Sequence, residues 1–424
     1  MQGFRKAGFR YPENEKRIMK KVLFCLTVAA MALAVSCTKG EDGYYDADGG
    51  YKGDYESYPD AMPGEGGMAE PGGQNGGGGE AGVLTAAEWN DLHNWAFWTG
   101  VMNNQEWSRD FEMWKFDTSS RIAIRVKDSA GEPVVNLPVA LYQNQSCLWK
   151  ARTSVQGEAN CWFGLFPKDI EPAENLTLKI GEEMQAGAPV FSTGQEEEPV
   201  VWNEYVVSAT APQAKADIAF IVDATGSMGD EISFLKQDLL SILNTVQQSQ
   251  AGVEIRTGTV FYRDEGKYEE YLTRYSNFTT DFSSTMQFIG KQDAGGGGDL
   301  PEAVHTALEV TLQKLAWNPE ARSRLAFLIL DAPAHYSHQG VVESLHQSIT
   351  TFAEQGIRII PVLASTADKT TEFMCRYFAI ITDGTYVFLT DDSGVGGSHL
   401  TPTVGQYTVE KLNDLLVRLI NENL

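Results

Sequence analysis

Ile218-Ala219-Phe220-Ile221-Val222-Asp223-Ala224-Thr225-Gly226-Ser227-Met228 is the stretch that decides the fold. Its apolar run, 218–222, has the length and β-branched content of a strand buried on both faces. A helical pattern opens near Met228. Asp223, Thr225 and Ser227 therefore fall at i, i+2 and i+4 on a strand-to-helix turn. Hard divalent cations take small oxygen ligands gathered at such a place.

Downstream of this stretch, strand and helix patterns alternate to the end of the chain. The spacing predicts strands over 217–223, 254–262, 268–275, 324–331, 357–364 and 384–389, and helices over 228–249, 281–291, 301–316, 341–355, 369–379 and 408–422. Such alternation predicts an α/β domain over 216–424, built on a doubly wound, mostly parallel sheet. Ligands of such sheets sit beyond the carboxyl ends of strands. Asp223 and Asp331 each close a predicted strand, so two carboxylates from separate segments meet one edge.

The spacing Asp223-x-Thr225-x-Ser227 resembles the Asp-x-Ser-x-Ser metal-ion-dependent adhesion site of von Willebrand factor A (vWA) domains, with Thr225 in place of the middle Ser. Further motifs follow in order. Gly295-Gly296-Gly297-Gly298-Asp299-Leu300-Pro301-Glu302 departs from the family's Thr-bearing third loop and is similar to the A-like domain of integrin β chains. Leu330-Asp331-Ala332-Pro333-Ala334-His335 resembles the Asp-Ala-Pro-x-His stretch of a bacterial and eukaryotic branch. Tyr262-Arg263-Asp264 and the segment from Phe388 to Gly394 look like the same branch. The resemblance implies a Rossmann-like fold holding Mg²⁺, with Ca²⁺ or Mn²⁺ as alternatives. Its ligands would be Asp223, Thr225, Ser227, Glu302 and Asp331, with one coordination position left for an acidic residue of a protein partner. Pro301-Glu302 also suits the first turn of a helix. The pair Asp230 and Glu231 sits where integrin β chains bind a second cation, and Asp299 is a third candidate for it. First-turn acids of a helix are the plainer reading of that pair.

Upstream, residues 120–210 show short alternating strands with turn clusters at 128–133 and 153–159. This predicts a small all-β sandwich, which resembles immunoglobulin-like or carboxypeptidase-regulatory-like modules of bacterial surface proteins. Residues 84–119 carry Trp89, Trp95, Trp98, Trp107 and Trp114, and Thr85 with Glu88 reads as a capping box opening a helix. Two readings stay open for this segment: a packed helical piece, or an aromatic platform for sugars or peptides. Of the five cysteines, Cys147 and Cys161 are a candidate disulfide, with two free thiols as the alternative, and Cys375 reads as a core thiol on a helix.

Residues 22–35 form an apolar run behind Lys20-Lys21, too short to span a membrane and suited to a signal peptide over 1–36, with Met19 as the candidate true start. Ala34-Val35-Ser36-Cys37 resembles a lipoprotein cleavage box, with Ala in place of the usual Leu. That implies lipidation of Cys37 and a membrane anchor that does not span. Residues 37–83 are rich in Gly, acidic residues, Tyr and Pro, and read as a flexible, disordered tether. The acids Glu41-Asp42 resemble the export signal of surface lipoproteins in Bacteroides-like bacteria; keeping a linker soluble is the alternative. These features predict an outer-membrane, surface-exposed location.

Lys+Arg number 33 against 57 Asp+Glu, a net charge of −24, which repels phosphate backbones and argues against nucleic-acid binding. No zinc spacing and no His-Glu-x-x-His is present. No small-molecule substrate is evident. The expectation is a surface-tethered adhesion or assembly module and not an enzyme, because no nucleophile–base set is legible along the chain. A structural envelope component stabilised by its metal is the alternative. A metal-assisted hydrolase, with His335 as its only base, ranks last.

Overall fold

The computed structural model describes residues 84–166, 172–195, 197, 199–298, 300–393 and 399–424. The expected leader, tether and lipidated Cys37, together with Asp299, lie outside the described residues. In chain order the strands are β1 (Thr85–Trp89), β2 (Arg121–Lys127), β3 (Pro138–Gln143), β4 (Ser146–Arg152), β5 (Glu158–Trp162), β6 (Leu176–Ile180), β7 (Glu183–Met184), β8 (Trp202–Val206), β9 (Gln213–Asp223), β10 (Glu254–Tyr262), β11 (Thr273–Thr279), β12 (Ala321–Leu330), β13 (Ile357–Leu363), β14 (Tyr386–Thr390) and β15 (Glu410–Lys411). The helices are α1 (Trp95–Met102), α2 (Ser108–Trp114), α3 (Gly229–Ser249), α4 (Phe282–Ile289), α5 (Val304–Lys314), α6 (Val341–Gln355), α7 (Lys369–Ile381) and α8 (Leu412–Glu422).

An 8-stranded sheet runs in the order β11-β10-β9-β12-β13-β14-β1-β15. Strands β10, β9, β12, β13 and β14 are mutually parallel; β11 and β1 are antiparallel to their neighbours. β9 sits inside this sheet, and every residue from Ala216 to Asp223 is buried. Its side chains alternate between two cores, as the period of a strand requires. Ile218, Phe220 and Val222 face α3, α4 and α8 through Leu235, Leu239, Phe282, Leu415 and Leu419. Ala219 and Ile221 face α5, α6 and α7 through Leu308, Leu345, Ile349 and Phe373. Helices on both faces of a mostly parallel sheet make the doubly wound α/β fold that the sequence predicts.

The capping-box expectation at Thr85 and Glu88 is corrected: both lie in β1, which inserts between β14 and β15. Tertiary pairing overrides the local signal here. Thr85 pairs with Thr390, the two hydroxyls 2.9 Å apart, and Glu88 meets Arg418 at 2.8 Å. The Trp-rich segment is thus tied into the large sheet. Trp95, Trp98, Trp107 and Trp114 are each at most 1% exposed. Trp107 stacks on Phe373 of α7 with centroids 5.2 Å apart, and Trp98 meets Tyr377 edge-on at 5.6 Å. The packed reading therefore holds, and rings this buried are not an exposed platform. Each buried indole removes about 150–250 Å² from water, roughly 4–6 kcal/mol at 25 cal/mol per Å² before ordering costs. Asp91 and Arg376 close the contact with two hydrogen bonds of 2.6 and 2.9 Å.

Residues 121–206 form two smaller sheets, β5-β2-β8 and β4-β3-β6-β7, whose facing side chains share one core that includes Ile122, Ile124, Val139, Leu141, Trp149, Leu178 and Ile180. The candidate disulfide is not formed. Cys147 is exposed on β4 in one sheet, whereas Cys161 is buried on β5 in the other; both are free thiols. Cys375 is a buried thiol on α7, as expected.

Several element boundaries differ from expectation, and three of the differences have a visible cause. β11 begins at Thr273, not 268, because Arg263 to Leu272 make a loop held by Arg263 N–H donating to Leu272 O (3.0 Å). α5 begins at Val304, because Glu302 forms a one-residue parallel bridge with Ala334 in place of a helical turn. α8 begins at Leu412, because Glu410–Lys411 pair with β1.

Candidate metal centre

β9, β10 and β12 run in register, Tyr262 opposite Asp223 and Ile329 opposite Val222. This brings Asp223 and Asp331 to the same carboxyl edge. Asp223 is fully buried. Its Oδ1 accepts from the backbone N–H (2.9 Å) and the hydroxyl (2.7 Å) of Thr225, which fixes the turn. Its Oδ2 has no partner. Asp331 is 3% exposed; Oδ2 accepts from the Thr366 hydroxyl at 3.3 Å, and Oδ1 has no partner. Ser227 is exposed at the rim.

The glycine run closes against this turn. Gly226 N–H donates to Gly296 O (3.1 Å), and Gly295 N–H donates to Ala224 O (3.0 Å). Gly296 and Gly297 have φ of +73° and +66°, a conformation that costs other residues energy. A Cβ on Gly297 would stand 3.0 Å from Thr225 Cβ and 3.1 Å from Glu302 Oε1; one on Gly296 would overlap the Glu269 carboxylate. Glu302, 3% exposed, is fixed by its own N–H donating to Pro333 O (2.8 Å), and its Oε2 is also without a partner.

The electrostatics follow from crowding acids in a dry place. Burial first, then the Asp331 charge, pushes the Asp223 carboxyl up to about 7, against the pull of its Thr225 hydrogen bonds. Burial, Asp223, Asp264, Asp331 and Glu269 together push Glu302 up to about 9. Burial raises Asp331 as well, opposed by the Ser227 and Thr366 hydroxyls. Buried carboxylate oxygens without donors are costly unless protonated or matched by a cation. Among the described residues no three His, Cys, Asp or Glu side chains are arranged to hold a metal by themselves. A cation here would add the Thr225 and Ser227 hydroxyls and water to the carboxylates, the all-oxygen shell that Mg²⁺ and Ca²⁺ take. The donor set fits such an ion.

The acidic pair is separated by the structure: Asp230 is exposed and Glu231 buried. Glu231 Oε1 already accepts from the Ser365 N–H (3.3 Å) and hydroxyl (3.2 Å). Sequence reasoning assigned no ligand role to Tyr262-Arg263-Asp264, yet it builds the outer wall. Asp264 meets His335, joining two segments that are 71 residues apart in sequence. Arg263 approaches Glu269 at 3.9 Å, and Glu269 Oε1 accepts from Gly297 N–H at 2.7 Å. Thr366, at φ +66°, carried no sequence signal.

Residues 217–376 match the von Willebrand factor A domain model, and this part of the chain is a vWA domain. The chain is 31% identical over 121 residues to the α-protein kinase vwkA of Dictyostelium discoideum, a stretch covering 28% of this chain and 19% of that protein. It therefore spans about a fifth of that relative. Among solved structures it is similar to the conserved hypothetical protein BatB of Bacteroides thetaiotaomicron (15% identity, TM-score 0.34, covering 49% of this chain and 97% of the other). It is also similar to an aerotolerance-related membrane protein of Bacteroides fragilis (14% identity, TM-score 0.31, 49% and 98%). Among the described residues no helix is long and apolar enough to cross a membrane.

Proposed function

We propose that this chain is a lipid-anchored cell-envelope protein whose vWA domain holds one divalent cation and, through it, an acidic residue of a protein partner. The observation that carries the reading is the group of orphaned oxygens, Asp223 Oδ2, Asp331 Oδ1 and Glu302 Oε2, buried beside two serine/threonine hydroxyls at one sheet edge. When bound, the cation supplies a Lewis-acidic contact for a carboxylate from outside. Asp223 and Asp331 neutralise it, Thr225 orients Asp223, and the glycines let the third loop approach. Glu302 adds a third carboxylate, which weakens the pull on a partner unless it engages through water. Leu300, 58% exposed, and Tyr268, 92% exposed, supply apolar contact area on the loops that carry Glu302 and Glu269. The sandwich serves as an immunoglobulin-like spacer between the anchor and this surface, and the whole is an adhesion or assembly module.

Isothermal titration with Mg²⁺, Ca²⁺ and Mn²⁺, paired with pull-down from envelope extracts with and without chelator, tests the proposal. Asp223→Ala is expected to lose cation binding and partner capture while keeping the folded spectrum; capture by that variant in chelator refutes the reading. The near-complete burial of Asp223, Asp331 and Glu302 favours a second reading, in which the cation only stabilises the fold. Cation-dependent stability with no partner captured would select it.

A further inference from the structure

We propose that Ser365, His399 and Asp391 form a nucleophile, base and orienting acid able to take an acyl group from an activated carboxylic ester. The three are scattered in sequence and meet only in the fold. Ser365 Oγ lies 3.1 Å from His399 Nε2, and His399 Nδ1 lies 2.7 Å from Asp391 Oδ1, which also accepts the His399 backbone N–H at 3.1 Å. The Asp391 carboxylate can only accept, so Nδ1 carries the ring hydrogen and Nε2 presents a lone pair to the hydroxyl. The remaining contact of Ser365 is Glu231 Oε1, 3.2 Å from Oγ and 3.3 Å from the backbone N. Burial raises the Glu231 carboxyl. The hydroxyl as placed donates to Glu231 Oε1, so the attack on an ester requires it to turn toward His399 Nε2, 3.1 Å away.

The backbone around Ser365 is built for such a role. β13 ends at Leu363 and α7 starts at Lys369, with Asp368 as its N-cap, so Ser365 sits on a sharp strand-to-helix turn. Thr366 holds φ +66°, a genuine outlier for a β-branched residue. A serine on a strand-to-helix turn at the carboxyl edge of a parallel sheet is also where α/β hydrolases carry their nucleophile; here the positive φ falls on Thr366 and Ser365 is 8% exposed. The chain order is also theirs. The serine follows one parallel strand, β13; the acid follows the next, β14; and the histidine lies in the connection before the last helix, α8. Ala367 fills the small-residue position two after the serine, while the position two before it is Leu363, the last residue of β13. The Thr366 N–H is the donor that such a turn offers to a developing oxyanion. In the reaction, Oγ attacks the ester carbonyl as its proton passes to Nε2. The C–O bond to the leaving group breaks, and Nε2–H protonates the departing alkoxide. Water then attacks the acyl–Oγ ester, gives its proton to Nε2, and the proton returns to Oγ as the carboxylic acid leaves. His399 is thus a catalytic residue and Asp391 a positioning residue.

The test is labelling of the whole folded chain by a fluorophosphonate, in which an Oγ–P bond replaces P–F and fluoride leaves, read by intact mass and peptide mapping beside p-nitrophenyl acetate turnover. One adduct on the Ser365 peptide is expected, absent from Ser365→Ala. His399→Gln should slow labelling about a hundredfold or more, and Asp391→Asn should slow it and change its pH profile. Circular dichroism and melting curves certify that each variant is folded. A folded wild-type chain that takes no label at Ser365, or labelling that folded His399→Gln leaves unchanged, overturns the proposal.

Discussion

Replacing Asp223 by Asn separates a cation site from an ordinary buried hydrogen-bonding residue, because the two predict opposite signs. Asp223 is fully buried, and its carboxyl is pushed from 3.8 to about 7. A raised folded value means that the group's contribution to stability is fully present below about pH 4. That contribution is lost as pH rises through 7, where the carboxylate ionises without a counter-charge. At 1.36 kcal/mol per pH unit the loss is roughly 4 kcal/mol for Asp223, shared with Asp331 and so an upper bound for either residue. Asn keeps an oxygen for the Thr225 N–H and hydroxyl and removes the charge. In chelator at pH 8 the Asn variant is therefore expected to melt above the wild type, by on the order of 5–15 °C if most of the cost is recovered. At pH 4 the two should coincide. Added Mg²⁺ should raise the wild-type melting temperature, increasingly so as pH rises, and leave the variant unmoved. Differential scanning calorimetry with and without chelator at the two pH values reads all three effects. A variant less stable than wild type at pH 8 in chelator, or one that still responds to Mg²⁺, would refute the reasoning.

The glycine run, the tryptophan segment and the cysteines each make a separate prediction. Gly296→Ala must abandon φ +73° or push the Glu269 carboxylate aside, so it should cost about 1–2 kcal/mol in denaturant titration from backbone strain alone and weaken cation binding as well. Arg376→Met leaves Asp91 charged, buried and without its two guanidinium bonds; the expected loss is about 3–5 kcal/mol, with protease cutting first between residues 84 and 119. Thiol titration of the native chain should modify Cys147 rapidly and leave Cys161 and Cys375 protected, since burial raises both thiols. Reducing agent should leave the melting temperature unchanged, and a reductant-sensitive melt would contradict the free-thiol arrangement.

Read along the chain, the apolar run before Asp223 and the alternating periods after it were enough to predict the parallel sheet, its helices and the edge where Asp223 and Asp331 meet. Those signals are local: strand and helix periods, and the rule that ligands gather beyond strand carboxyl ends. Glu302 was legible by motif, but its bridge to Ala334, which displaces the start of α5, was not. The capping-box pattern at Thr85 misled because a strand long enough to fill a sheet position gains more from pairing and burial than a short helix gains from its cap. The sequence by itself therefore determined the fold class, the strand-to-helix turn that carries Asp223 and Thr225, and the acidity of the chain. Only the tertiary structure decided that β1 completes the large sheet, that Cys147 and Cys161 stand on opposite sheets, and that Asp264 finds His335. It also decided that Ser365, Asp391 and His399 meet. Each of those pairings joins residues from separate segments, and such contacts are set by how the elements pack, which no local pattern along a single chain encodes.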